Sequence, residues 1–416
     1  MAANNQRPNQ LALAHSSFIL HRSSFMREHW LLEPHITYLN HGSFGATPKV
    51  VLAKQSALRE QMEREPVRFM VRELEPLLDA ARAELGAFVG ADPAGIAFVP
   101  NATAGVNAVL RSLDLDKHDE LLVTSHEYNA SRNALEYVAG IAGAKVVPIE
   151  IPFPIASPDE VVERVMAGVT DRTRLLLIDH VTSQSALIFP IEQIIAELKQ
   201  RGIDTLVDGA HAPGMFPLDL DAIGAAYYTA NLHKWVCAPK GAAFLYVAPN
   251  RRLGIHPVVI SHGYNSTRTD RSRYHLEFDW PGTFDPTACL SVPESLRFMN
   301  EIVDGGWPEV MRRNHELALA ARDLLCQRLG IEKPAPDEML GSMAAFPIAD
   351  GAAYVTTSLY GDPLQDALLF EHGIEVPIVP WPRAGNRVLR VSAQLYNSID
   401  DYMKLADALD VLLPRF

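Results

Sequence analysis

Cysteine is scarce in this chain: three residues in 416, Cys237, Cys289 and Cys326, stand far apart and never in a CxxC pair. That spacing excludes a disulfide framework and a thiolate metal site, and it suits a reducing, cytoplasmic compartment. Apolar runs of membrane-spanning length are missing. The amino terminus also lacks an apolar core followed by a small-residue cleavage site, so a soluble protein with no membrane partner is expected. Positive charge is in short supply: 37 Lys and Arg face 50 Asp and Glu, a formal net charge of -13. Such a surface repels a phosphate backbone and argues against nucleic acid as a partner. Internal repeats and low-complexity tracts are absent as well.

What is present is a large globular composition, 48% hydrophobic and 21% charged, enough for one main core and a second, smaller lobe. Residues 1–26 scatter Asn, Gln and Ser among short apolar stretches and end at a second Met, Met26. A disordered leader and an upstream start codon both fit that stretch, and it carries no assigned function.

Between about residues 92 and 250, seven short apolar runs alternate with amphipathic segments. The runs are Ile96 to Val99, Leu121 to Thr124, Val146 to Ile149, Leu175 to Ile178, Thr205 to Val207, Ala226 to Ala230 and Ala243 to Val247. Ile191, Ile194, Ile195 and Leu198 recur at helical spacing before Gly202. Strands alternating with helices predict βαβ crossovers, hence an α/β fold with a doubly wound, mainly parallel seven-stranded sheet covered on both faces. After residue 250 a loop-rich stretch with Gly263, Pro281, Gly282 and Pro286 leads to a long helix from about Pro308 to Leu329. A strand around Ala344 to Ile348, a helix from Pro363 to His372, paired strands around Ile374 to Ile378 and Val388 to Val391, and a helix from Ile399 complete a smaller C-terminal α+β domain. The expected division is 27–90, 91–290 and 291–416.

Four segments sit at carboxyl ends of expected strands, where open α/β sheets hold their ligands. Asn101 to Asn107 opens a helix whose N-terminal amides, from Ala102 and Thr103, together with the Thr103 hydroxyl, can hold a phosphate. An ordinary N-cap by Asn101 or Thr103 accounts for the same residues. Ser125 to Ala130 offers Tyr128 to lie flat on a planar ring, although a partly buried tyrosine is the commoner reading.

Val207 to Gly214 places Asp208 at a strand end. A carboxylate there can keep a pyridine nitrogen protonated and so make the ring an electron sink. His211 can reach a ring substituent or the phosphate. Helix capping by Asp208 and a metal pair of Asp208 with His211 are the rivals; no third metal ligand is suggested, and no metal is expected. Thr229 to Trp235 carries Lys234 in a short polar break between two apolar strands, 26 residues after Asp208. Burial beside a cationic ring would lower its pKa toward the neutral, nucleophilic form. Lys240, in Pro-Lys-Gly, reads as a turn tip.

Taken together, YLNHGSFGATP at 38–48, NATAGVN at 101–107, HEYNA at 126–130, VDGAHAPG at 207–214, NLHKWVCAPKG at 231–241, GTFDPTA at 282–288 and RVSAQLYNSIDD at 390–401 resemble the class V, fold-type I pyridoxal-phosphate enzymes, in particular the isopenicillin N epimerase-like branch. The resemblance runs from about residue 30 to the C-terminus. It implies pyridoxal 5'-phosphate as cofactor, residues 91–290 as the domain that binds it, and 27–90 as a segment shared between the small lobe and an active-site loop. Lys234 resembles the Schiff-base lysine, Asp208 the partner of the pyridine nitrogen and Tyr128 the stacked residue. Thr103 with the Ala102 amide, His233 and Asn231 resemble the phosphate cup, and His211 and Ser183 the residues near the ring oxygen. Thr283 is implied in the phosphate site of a neighbouring subunit, hence a homodimer with shared active sites. Arg390 resembles the arginine that binds the α-carboxylate of an amino-acid substrate, with Asn40, His41 and Ser43 on a loop above it.

Cysteine desulfurases of the class use a nucleophilic cysteine on a mobile loop, whereas Cys326 lies in a helical run, Cys289 at a helix start and Cys237 in a turn. Persulfide formation is therefore disfavoured. The shared machinery at the α-carbon leaves open epimerization, β-elimination of the cysteine desulfhydrase or hercynylcysteine-sulfoxide-lyase type, and transamination. Epimerization requires a second acid or base, for which His41 or a tyrosine qualifies. From another class, a non-catalytic protein on the same fold would lack the intact set of Lys234, Asp208 and Arg390.

Overall fold

The computed structural model describes residues 26–351 and 361–416. Apart from Met26, the expected leader lies outside the described residues. Twelve strands occur among the described residues: β1 Thr37–Tyr38, β2 Ile96–Val99, β3 Glu120–Thr124, β4 Lys145–Ile149, β5 Thr173–Asp179, β6 Asp204–Asp208, β7 Tyr227–Asn231, β8 Ala243–Val247, β9 Met343–Ile348, β10 Ile374–Glu375, β11 Ile378–Val379 and β12 Arg387–Ser392.

The seven runs read from the sequence form one sheet in the order β2-β8-β7-β6-β5-β3-β4. Only β8 runs antiparallel to its neighbours, because it returns from β7 through a short turn rather than through a helix. Successive residues of a strand face opposite sides, and the buried strands supply two cores at once. Leu176 and Ile178 join one cluster and Leu175 and Leu177 the other. This explains the unbroken apolar run, which a sheet with one wet face would interrupt. The predicted helix is Ile191–Gln200, with Ile191, Ile194, Ile195 and Leu198 all buried.

Chain order reverses between β3 and β5, since β3 sends its crossover to β4 on one side and the chain then returns to β5 on the other. A crevice opens at such a switch point, beyond the carboxyl ends of the strands. The loops after β2, β3, β5, β6 and β7 all converge on it.

The C-terminal lobe is built on a three-stranded antiparallel sheet, β11-β12-β9, against helices Gly306–Leu329 and Ile399–Leu412. The pairing expected here needs one correction. The run from Ile374 to Ile378 is two strands: β11 pairs with β12, but β10 pairs in parallel with β1, near the other end of the chain. Pro377 between them has no amide proton to donate, which divides the ladder. The loop-rich stretch after residue 250 also contains a helix, Arg273–Phe278, capped by Ser272 Oγ on the His275 amide.

Candidate active site

Lys234 follows β7 in a tight turn closed by the Cys237 amide on the Lys234 carbonyl at 3.0 Å, with Cys237 in the left-handed region at φ 62°. Its side chain enters a cavity of about 480 Å³ lined in part by Ser43, Ala102, Thr103, Tyr128, Asp179, Ser183, Asp208, His211, Asn231 and His233. Nζ lies 2.9 Å from His211 Nε2. Burial, reinforced by the Arg390 charge, lowers the lysine to about 7, against the raising influence of Asp208 and Asp179. Burial likewise drives His211 well below the ordinary histidine range, so it stands as a neutral acceptor for the ammonium.

Asp208 ends β6 beside Asp179, which ends β5 in matching register. Ser131 Oγ donates to Asp208 Oδ2 at 2.8 Å and the Ala210 amide to Oδ1 at 3.0 Å. Burial raises this carboxyl, and those two donors oppose the rise. The capping reading of Asp208 does not survive: the amide it accepts belongs to an Asx turn, and the next helix is Leu220–Ile223. Nor does the metal pair with His211 form. The described carboxylates that approach within metal-ligand spacing of Asp208 are Glu127 and Asp179.

At the end of β2, the helix Ala102–Ser112 is capped by Asn101, whose side chain accepts from the Ala104 amide at 2.8 Å. Capping and cavity lining thus coexist in one segment. The Ala102 amide is spent on Asn231 Oδ1 at 2.9 Å, which fastens the helix start to the end of β7. That bond takes the Ala102 amide out of the expected phosphate cup and leaves the Thr103 end of the helix and His233 facing the cavity. His233 is lowered to about 4, first by burial and then by Lys234 and Lys240, and its Nδ1 is buried without a partner.

Arg390, on β12, reaches across from the C-terminal lobe. Its Nη1 donates to the Ser183 carbonyl at 2.5 Å and to Ser183 Oγ at 3.3 Å; its Nη2 donates to Ser43 Oγ at 2.7 Å and to Asn40 Oδ1 at 3.4 Å. Ser43, Asn40 and Ser183 therefore gather around one guanidinium. Gly45 explains how the N-terminal loop comes so close. It has φ 67°, and a Cβ there would sit 1.9 Å from the His233 carbonyl oxygen.

Two expected residues lie elsewhere. His41 is fully buried beneath the lysine turn, not in the cavity: Nδ1 meets Tyr396 Oη at 2.7 Å and Nε2 meets the Lys234 carbonyl at 3.0 Å. Burial lowers it to about 3, and both of its nitrogens are engaged away from the cavity. Thr283 is exposed and does not line this chain's own cavity. The cysteines are all buried; Cys237 and Cys289 are each pushed up to about 12 by burial and are poor nucleophiles. Sequence reasoning missed Asp179 and Glu127. The signal available was a repeated pattern, an apolar run ending in Asp at both 179 and 208.

Residues 37–404 match the family described as aminotransferase class V. The chain belongs to that family. Among its relatives, isopenicillin N epimerase of Streptomyces clavuligerus is 34% identical over 93% of this chain and 97% of its own length. A probable chloroplastic L-cysteine desulfhydrase of Arabidopsis thaliana is 32% identical over 92% and 84%. A cysteine desulfurase structure from Escherichia coli superposes with a TM-score of 0.75 at 21% identity, covering 95% of this chain and 99% of that one, and shows the shared fold.

As a class V enzyme the protein is pyridoxal-phosphate-dependent, and the cavity accepts that group. Buried polar atoms without partners, His211 Nδ1, His233 Nδ1 and Asp179 Oδ2, ring it. A part-neutral lysine, a carboxylate with two donors and an exposed aromatic edge, Tyr128, meet there.

Proposed function

We propose that this class V enzyme removes the α-hydrogen of an amino acid and that β-elimination, with cleavage of a Cβ–S bond, is the outcome its geometry supports best. The observation that carries this reading is Lys234, held part-neutral by burial beside neutral His211, while Lys240, also on the cavity wall, is engaged by the Gly45 carbonyl at 3.2 Å.

In this reading the cofactor supplies an aldehyde that captures amines and a ring that withdraws electrons from Cα. Lys234 Nζ would hold the cofactor covalently in the resting enzyme and would serve as the base toward the α-hydrogen of the substrate. Asp208 holds the proton of the pyridine nitrogen. Tyr128 would cover the ring, His211 and Ser183 would bind its oxygen, and Thr103, His233 and Asn231 would hold the phosphate. Arg390 binds the substrate carboxylate in the place now taken by Ser43 and Asn40 oxygens. Elimination then needs only a leaving group at Cβ: the Cβ–S electrons depart with sulfur, and the remaining fragment hydrolyses to pyruvate and ammonia.

Epimerization is the second reading, carried by the 34% identity to an epimerase along almost the whole chain. It needs a second acid or base; the engagement of both His41 nitrogens below the lysine turn does not favour that residue, which leaves a tyrosine. We further propose a cytoplasmic homodimer in which the partner's Thr283 completes the phosphate site; the exposure of Thr283 in its own chain supports this. The deciding experiment adds L-cysteine, and separately an L-amino acid with no leaving group, to the cofactor-loaded protein and to Lys234→Ala. Pyruvate and sulfide from cysteine, absent in Lys234→Ala, are expected. Loss of optical activity without pyruvate would establish epimerization instead, and a protein that never acquires visible absorption with pyridoxal phosphate would overturn the site assignment.

A further inference from the structure

Beside Asp208 lie two carboxyls to which the roles above give no part in the chemistry. Glu127, Asp179 and Asp208 are respectively 4%, 3% and 2% exposed, and one carboxyl oxygen of each lies within 4.8 Å of the others. They come from three adjacent strand ends at the switch point: Glu127 from the loop after β3, Asp179 from β5 and Asp208 from β6.

Their hydrogen bonding is unequal. Asp208 receives two donors, from Ser131 and Ala210. Neither oxygen of Glu127 has a hydrogen-bond partner of ordinary geometry, and Asp179 Oδ2 has none; the Tyr128 amide on Glu127 and Asp179's own amide on its carboxyl are the smallest of the influences on each. A buried carboxylate with no donor bears its full desolvation penalty, several kcal/mol in practice. Three like charges at this separation add repulsion. Protonating the carboxyl with the fewest donors relieves both, because a neutral carboxylic acid is itself a donor.

We propose that Glu127 is a neutral acid sharing its proton with Asp179, and that the pair are positioning residues that set the charge of Asp208 and hence its hold on the cofactor's pyridine nitrogen. This rests on the reading of Asp208 as the partner of that nitrogen. Supporting the assignment, burial and then the neighbouring Asp179 and Asp208 charges push Glu127 well above the carboxylate range. The other groups facing the cluster are Lys234, which acts on both aspartates and favours their ionisation, and the phenol of Tyr228, which feels Asp208. The division of labour is then definite. Burial and the Asp208 charge push Asp179 up as well, and the hydrogen bond to Glu127 opposes that rise; with Glu127 holding the one proton and donating it, Asp179 stays anionic, and an anion beside Asp208 makes Asp208 more basic and the pyridinium proton harder to lose. A neutral Asp179 would weaken that hold.

The test reads the protons directly. Infrared spectra of the cofactor-loaded protein near neutral pH are expected to show a protonated-carboxyl C=O band that Glu127→Gln removes. A wild-type protein without this band overturns the proposal before any variant is made. The nitrogen-15 signal of labelled pyridoxal phosphate is expected to move toward the unprotonated value in Asp179→Asn, with a cofactor Kd raised about tenfold, the equivalent of one pK unit on Asp208. Glu127→Gln, which keeps a donor, should hold the cofactor affinity that Glu127→Ala loses. An unmoved nitrogen signal in folded Asp179→Asn overturns the charge-setting role. Failure to bind pyridoxal phosphate at all would refute the reading of the site, and the pyridine role with it, while the carboxyl band still reports whether the shared proton exists.

Discussion

Lys234 Nζ rests 2.9 Å from His211 Nε2, so this amine is hydrogen-bonded to an imidazole that burial keeps neutral. This arrangement stabilises the lysine without a fixed negative partner of its own, and so it leaves the amine ready to give up its proton.

With Lys234 lowered to about 7, its neutral fraction should rise from about a tenth near pH 6 to about nine tenths near pH 8. Stopped-flow capture of pyridoxal phosphate by the cofactor-free protein should therefore accelerate roughly ninefold over that interval and then level off. A rate still climbing tenfold per pH unit above about pH 9 would mean an ordinary lysine.

Asp208→Asn keeps shape and loses charge. Replacing a charge-assisted hydrogen bond costs about 1.5–3 kcal/mol, so the cofactor Kd measured by fluorescence titration should rise about 10- to 150-fold while the melting temperature of the cofactor-free protein holds or increases, because a buried charge has been removed.

Arg390→Lys should separate substrate binding from cofactor binding. Losing a planar, two-pronged donor should raise KM by about tenfold or more, with the visible spectrum of the resting enzyme unchanged. A shift in that spectrum would place Arg390 on the cofactor rather than on the substrate.

His41→Ala should behave as a structural lesion. It strips the His41 partner from Tyr396 Oη, about 1–3 kcal/mol for a buried group left unpaired, and removes one of two contacts from the Lys234 carbonyl, which keeps the Cys237 amide. The melting temperature should fall and cofactor retention should weaken, with KM for substrate little altered in the molecules that stay folded.

Gly45→Ala sets a Cβ against the His233 carbonyl in a left-handed conformation. A loss of at least about 1–3 kcal/mol is expected from the backbone alone, visible in thermal melts, together with weaker phosphate-end binding, because His233 is displaced.

Much of this was legible in the sequence, and the reasons are physical. Seven apolar runs became seven strands because a sheet covered on both faces needs no polar alternation, and that pattern survives in one dimension. Lys234 and Asp208 stood out because a polar residue at the end of a buried strand has few ordinary explanations. Other features carried no local signal. Arg390 meets Ser43 across 347 positions and β1 meets β10 through two residues each, too short for any periodicity. Ala102 looked like a phosphate donor because a helix start exposes its amides, and only the fold shows Asn231 occupying that one. His41 resembled a loop residue above the substrate, whereas its ring lies below the lysine turn, a distinction of direction that spacing does not encode.

The contact between His41 and Tyr396 spans 355 positions and forms part of the floor under the lysine turn. A ribosome must therefore release the chain through Tyr396 before that floor can close. Every strand of the large sheet has been made by Val247, but the pocket that grips the cofactor waits for Tyr396, and a nascent or truncated chain ending before it would lack the floor under its lysine turn.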